Sequence, residues 1–282
     1  VAPALKKLGW SMKVYQYSVS AGPQNMAADI GSALQASPDY LGISAIYPLP
    51  TYLTELAAAK SKNVPVASLA GANSSSFIGC FSCDAATDQE GVLTAATAIS
   101  DSRGKGNTLI VTDPTIVPLQ QIVTGIKQEF ARADPSAPLN VLDVSLLQAP
   151  AQNSSTVISY LQAHPQVRYV IFPAPPVYTG LFPQLKSAGL LSHLTTIAAA
   201  ISPADLPLIK SGELSAGVAA ETDINTWRMV DAFVHEAVHE PLPAKFADPA
   251  GWARIITKSD ATPSSLDPTN WRQTFYSAWK VG

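Results

Sequence analysis

The feature that most constrains this chain is an alternation running from Leu5 almost to Lys258. A short β-branched or apolar run is followed by a turn of proline or small residues, then by a stretch with apolar positions near helical spacing. Leu41–Tyr47, Val64–Leu69, Thr108–Asp113, Val141–Leu146, Tyr169–Phe172, Thr195–Ala200 and Ala216–Ala220 read as strands. Between them Tyr52–Lys62, Val117–Arg132 and Thr156–Ala163 read as helices. Strands that alternate with helices build parallel sheets covered on both faces, because each crossover must travel back over the sheet before the next strand begins. Such sheets take ligands at the carboxyl ends of their strands. Functional residues are therefore sought just after each strand.

A chain of 282 residues suffices for two lobes of ordinary size, and its 47% apolar content suffices to cover both faces of their sheets. With 14% charged residues, a net charge of −3 and no run of Lys or Arg, nucleic acid and anionic membrane surfaces are excluded as the main partner. No stretch approaches the ~20 apolar residues of a spanning helix. The chain does not open on a charged and then hydrophobic leader, and it reads as soluble. Prolines gather at strand ends, at Pro48, Pro114, Pro173, Pro175 and Pro203, where they stop the strand and stiffen the loop. Stiff loops suit a preformed pocket. Ala4–Trp10 reads as the last turns of a helix stopped by Gly9, with a strand at Met12–Tyr17 after it. A helix tail in that place predicts earlier structure outside this sequence.

Cys80 and Cys83 form a lone CxxC. A structural zinc site needs four ligands, and a redox pair usually sits at a helix start, whereas Ser76–Phe81 reads as extended. A local disulfide, free thiols and redox chemistry are the three readings, and an oxidising compartment favours the first. His235-Glu236-Ala237-Val238-His239 matches HExxH inside a helix expected over Asn225–His239, which would put both imidazoles on one face for zinc with Glu236 activating water. Against a zinc hydrolase, Asp231, His235 and His239 share an outer stripe opposite Met229, Val230, Phe233 and Val234. The remaining histidines, His164 and His193, lie far upstream, and Pro241 ends the helix. With no GxSxG, no GxxxxGK[ST] and no GxGxxG after a strand, no catalytic constellation, metal site or cofactor is expected.

The ordered segments LKKLGW, PQNMAADI, PDYLGIS, LAAAKSKNVPV, AHPQVRYVIF, LKSAG, IKSGELSAGV and IITKSD resemble type 1 periplasmic binding proteins, the solute receptors of ABC importers. The likeness covers nearly the whole chain, and the closing Trp271…Tyr276-Ser-Ala-Trp279 is similar to the aromatic tail of some sugar receptors. It implies an α/β fold of two lobes joined by three crossings, with residues 1–86 plus 222–252 in one and 87–221 plus 253–282 in the other. It also implies an exported protein, periplasmic or lipid-anchored, that is a monomer, closes by a hinge on a small molecule and hands it to a membrane permease. The family's first strand has no counterpart here, which predicts native residues before Val1 that carry part of the pocket.

Sugar receptors of this kind hold hydroxyls with charged and amide side chains, because a buried hydroxyl without a partner costs roughly 1–3 kcal/mol. The resemblance places their Asp-Arg pair at Ala70-Gly71, an Arg near Gln120, an Asn-Asp pair at Ala174-Pro175, an Asp at Ala200 and a hinge Gln near Ala220, beside Glu221. The strand ends instead offer Tyr47, Pro175, Tyr178, Ile201 and Trp227, with Asn73, Asp113, Gln120, Glu221 and Asp223 as polar groups. These ten are the candidate binding residues, and the competing reading of each is packing inside its own lobe. A mostly apolar cleft with a few directed polar groups predicts a weakly polar or aromatic ligand. A ligand-binding effector domain of a transcription repressor is the alternative, because that class uses the same fold.

Overall fold

The computed structural model of the protein describes residues 1–220, 222–243 and 253–281. The chain divides into two compact units. Unit 1 comprises Val1–Asp84, Glu221–Ala250 and Asp267–Gly282, and unit 2 comprises Ala85–Ala220 and Gly251–Leu266.

In unit 1 the order is α1 (Ala2–Leu8), α2 (Pro23–Gln35), β1 (Leu41–Ala45), α3 (Leu53–Ser61), β2 (Val66–Gly71) and β3 (Gly79–Phe81). Pro23 at the first position of α2 has the φ a helix start requires and gives up an N–H that would have no partner there. Gly9 ends α1 at φ 71°, the left-handed stop expected of it. The sheet runs β1-β2-β3, all parallel.

Unit 2 holds α4 (Ala85–Ser102), β4 (Thr108–Thr112), α5 (Val117–Ala133), β5 (Leu139–Asp143), α6 (Pro150–Ala163), β6 (Tyr169–Phe172), α7 (Leu181–Ser187), β7 (Thr195–Ile201), α8 (Leu206–Ser211) and β8 (Ala216–Ala220). The chain then re-enters unit 1 as α9 (Thr222–Ala237), adds β9 (Ala253–Ile256) to unit 2 and closes in unit 1 with α10 (Trp271–Trp279). The unit 2 sheet has the order β5-β4-β6-β7-β8-β9, parallel except for the β8/β9 pair. All five residues of β4 are buried, as a central strand with both faces covered demands. On one face Ile110, Ile171, Ile197 and Ala199 pack against Ala95, Ala98, Ile122, Val123, Ile126 and Phe130 of α4 and α5. Those two helices meet backbone to backbone: a Cβ on Gly91 would stand 2.1 Å from the Ile122 carbonyl oxygen, and one on Gly125 2.0 Å from that of Asp88.

Two expectations are corrected. Met12–Tyr17 forms no strand. Its ends are tied to the ends of β1, by Trp10 stacked on Tyr40 at 5.3 Å and by the Tyr47 hydroxyl donating to the Val19 carbonyl at 3.0 Å. Between them Met12 (50%) and Val14 (67%) lie exposed, because β propensity without a paired neighbour does not hold a strand. The tail beyond Asp267, expected with the second lobe, belongs to unit 1, where Trp271, Phe275, Tyr276 and Trp279 pack around Trp227.

Candidate functional site

In unit 1 the loop after β1 is closed by two tyrosines. The Tyr47 N–H donates to Tyr52 Oη, and that hydroxyl donates to the Tyr47 carbonyl, each at 2.7 Å. Burial pushes the Tyr52 phenol well above its ordinary range. Tyr47 is buried, with its own hydroxyl on Val19, so the ring expected to line a pocket is a clasp inside unit 1. At the end of β2, Ala70 and Gly71 take φ 66° and 94°, and a Cβ on Gly71 would fall 2.0 Å from the Ala45 carbonyl oxygen. The position the resemblance gives to an arginine therefore has no room for any side chain. Asn73 is exposed, with Oδ1 accepting from the Ser74 N–H at 2.8 Å and its own N–H donating to Asp84 Oδ2 at 3.3 Å. Cys80 and Cys83 are joined in a disulfide, both fully buried.

In unit 2 the loops after the strands are tied down by two carboxylates. Asp113 accepts from the Thr115 N–H (2.9 Å) and Oγ1 (2.6 Å) through one oxygen and from the Leu146 N–H (2.7 Å) through the other, joining the loops after β4 and β5. Gln120 Nε2 donates to the Asp113 carbonyl at 3.4 Å. Asp205 accepts from the Ser202 N–H (2.8 Å), the Ser202 hydroxyl (2.7 Å) and the Tyr178 hydroxyl (2.8 Å), locking the turn after β7 to the one after β6. Burial, and then the Asp205 carboxylate, push the Tyr178 phenol far above its usual value. Tyr178 packs edge-on against Phe172, and Ile201 is buried at the end of β7. Pro175, half-buried, opens the 3₁₀ turn Pro175–Tyr178. Asp113, Tyr178 and Ile201 thus shape the rim of unit 2 and hold its loops.

The remaining candidates follow β8, on α9 or just before it. Trp227 is buried, stacked on Trp279 at 5.6 Å and edge-on to Trp271 at 5.1 Å, at the centre of an aromatic cluster, not of a pocket. Asp223 is exposed and paired with Arg272 at 3.3 Å. Glu221 lies outside the described residues. The zinc reading loses its geometry, because α9 ends at Ala237 and His239 sits beyond it at φ 57°. His235 Nε2 faces Asp231 at 3.9 Å, whose other oxygen accepts from Trp279 Nε1 at 2.6 Å. Among the described residues no three His, Cys, Asp or Glu side chains are placed to hold a metal ion.

One buried acid was not singled out from sequence. Glu90, in the second turn of α4, is 3% exposed. Ala200 is in the left-handed region at φ 50°, where the β7/β8 register shifts. Burial pushes the Glu90 carboxyl up to about 8. Its Oε2, and Oγ1 of Thr112 at the end of β4, are buried without a hydrogen-bond partner. A signal existed: Glu90, Thr94 and Ala98 recur every four residues beside Gly91 and Ala95, so a carboxyl lay on the buried stripe of a close-packed helix.

No protein-family model and no curated protein matches the chain. Solved structures do. GanP, a glucose-galactose binding protein from Geobacillus stearothermophilus, superposes with a TM-score of 0.78 at 17% identity, covering 92% of this chain and 90% of that one. An ABC transporter solute-binding protein from Burkholderia graminis C4D1M, solved with D-arabinose, gives 0.79 at 18% identity over 93% and 89%. A candidate LacI transcriptional regulator from Bacteroides fragilis gives 0.76 at 12% identity over 92% and 89%. The chain has the two-lobe α/β fold of type 1 periplasmic binding proteins.

Proposed function

We propose that this chain is an exported solute receptor that binds a small neutral molecule at the carboxyl ends of its strands, performs no chemistry on it and presents it to a membrane permease. The observation that carries the reading is the build of the strand ends in unit 2. Asp113 and Asp205 hold four successive loops in place around a short left-handed turn at Ala200, which is preorganisation of a rim without a nucleophile or metal cluster among the described residues. The similar structures that bind D-arabinose, glucose or galactose support a receptor role. So does the disulfide, which suits an oxidising compartment. No described helix is long and apolar enough to cross a membrane.

The ligand class follows from what borders the strands. No Lys or Arg lies in the loops directly after β1, β2, β4, β5, β6 or β7, so an anionic solute has no counter-charge there. An aromatic ligand stacked between Tyr47, Tyr178 and Trp227 loses support, since all three rings are packed within their own units. A small neutral solute fits the remaining polar groups better. Closure of a hinge on the bound solute completes the proposed mechanism: the ligand shifts the equilibrium toward the closed form by its differential affinity for it.

Native mass spectrometry of protein purified from a producing cell tests the reading by weighing any retained small molecule. A retained neutral solute of a few hundred daltons or less is expected. A hydrolytic activity that His235→Ala abolishes would sink it. The similarity to a LacI-type regulator favours an effector domain as the second reading. A basic helical DNA-binding segment upstream in the gene would decide for that one, and a signal peptide or lipobox for the first.

A further inference from the structure

We propose that the outer edge of β1 in unit 1 takes one more parallel strand, inserted between β1 and Met12–Tyr17, and that residues of the protein upstream of α1 supply it. Among the described residues β1 is an edge, paired with β2 alone. The Leu41 N–H donates to the Pro65 carbonyl, so Leu41 and Ile43 turn their backbone groups to β2 and Gly42 turns its own outward. The next interface obeys the same alternation, since the Val66 carbonyl, on the far side of β2, accepts from the Ile78 N–H. Gly42 is exposed in mid-strand, and its backbone finds no partner among the described residues.

A second stretch of chain follows that edge without bonding to it. Trp10 stacks on Tyr40, just before β1, at 5.3 Å, and the Val19 carbonyl accepts from the Tyr47 hydroxyl, just after β1, at 3.0 Å. Residues 11–18 therefore run in the direction of β1, and they must be extended to cover its length. Both ties are made by aromatic side chains reaching across, and no backbone hydrogen bond joins residues 11–17 to β1. Neighbouring strands lie about 4.8 Å apart and bond along their length. A parallel stretch pinned at both ends and bonded nowhere between is the arrangement of two strands that share a third.

The occupant follows from α1. Its Ala4 and Leu5 pack on Trp227 and Val230 of α9. That helix covers the same sheet, with Phe233 and Ala232 against Ala67 and Phe81, and with Met229 where a Cβ on Gly42 would point. Gly9 then stops α1, and the chain turns into the parallel stretch. A helix laid on a sheet and leading into a parallel stretch is the second half of a strand–helix–strand crossover, the unit seen at β1-α3-β2, β4-α5-β5 and β7-α8-β8. The first strand of such a unit belongs to the same sheet, and the unpaired edge of β1 is where it fits. Tethered through α1, it arrives at an effective concentration that a free peptide does not reach. Leu41 and Ile43, pointing away from Met229, are buried as well, so both faces are covered. The occupant is therefore a run of about five residues rich in Val, Ile and Leu, without proline.

The test is amide hydrogen exchange on the 282-residue chain and on the product of the complete gene, with and without Val14→Pro or Tyr15→Pro. The Gly42 amide, and amides within residues 12–17, should exchange at least about 100-fold more slowly in the gene product. Adjacent residues of a strand turn their amides to opposite sides, so only one of the two prolines removes a ladder donor. In the gene product that proline should lower the melting temperature by about 5 °C or more and the other by less than about 2 °C, whereas in the 282-residue chain neither should matter. If the 282-residue chain does not fold alone, the contrast between the two prolines in the gene product carries the test. Equal exchange at Gly42 in the two proteins, equal effects of the two prolines in the gene product, or a gene without an apolar run ahead of α1 overturns the proposal. Protection of Gly42 in the 282-residue chain that rises with its concentration would assign the edge to a second copy and overturn it as well.

Discussion

Glu90 makes the stability of unit 2 depend on pH. The Glu90 pKa is raised in the folded state to about 8 from an ordinary 4.5, so the folded protein holds a proton that the unfolded chain releases. Between those values stability falls as pH rises, and above about 8 the dependence ends because both states are ionised. Urea unfolding of wild type and Glu90→Gln at pH 5, 6, 7 and 8 should show the two curves diverging by at most about 1.4 kcal/mol per pH unit, with the wild type losing ground as pH rises. A constant difference across that range would show that burial does not govern this group. At Gly71 the issue is space. Gly71→Ala places a Cβ 2.0 Å from a carbonyl oxygen on a backbone at φ 94°, and it should cost about 2–4 kcal/mol in the same unfolding assay. A loss below about 0.5 kcal/mol would mean that β1 and β2 part easily at their ends.

At the scale of elements, α9 and α10 depend on each other. Trp227 brings the largest buried ring of unit 1 to α9, and α10 covers it with Trp271, Phe275, Tyr276 and Trp279 while Trp279 Nε1 donates to Asp231. Trp227→Ala should cost about 3–5 kcal/mol by leaving an aromatic-sized cavity. It should leave solute affinity within threefold, and a lost affinity in a protein of unchanged fold would return Trp227 to the binding site. Asp231→Ala removes the acceptor of a partly buried indole N–H and should cost about 1 kcal/mol by denaturant unfolding. The Cys80–Cys83 bridge closes a very short loop, so Cys80→Ala with Cys83→Ala should lower stability by no more than about 2 kcal/mol. Thiol labelling of unfolded, unreduced wild type should find no free thiol.

At the scale of the whole molecule, a receptor should be stabilised by what it carries: about 2.7 kcal/mol at a ligand concentration of 100 Kd, read as a rise in melting temperature. The succession of strands and helices was legible in the sequence because it rests on local chemistry. Tyr169–Phe172 and Ala216–Ala220 are strands to the residue, Val117 starts a helix, and Gly9 stops one. Sequence could not tell a ring at a strand end that faces a ligand from one that faces its own core. Tyr47 and Tyr178 have the composition of pocket residues, yet their hydroxyls are taken by Val19 and Asp205, partners 28 and 27 residues away. Met12–Tyr17 has the composition of a strand and lacks a neighbour to pair with, and His235 and His239 have the spacing of a chelate while the helix ends between them. Glu90 shows the converse: an unremarked acid in a helix becomes a buried carboxyl whose Oε2 has no hydrogen-bond partner once α4 and α5 close on Gly91 and Gly125. Periodicity and turn chemistry act over a few residues and are written in the chain, whereas the burial of a polar atom and the partner it finds depend on residues brought together only by the fold.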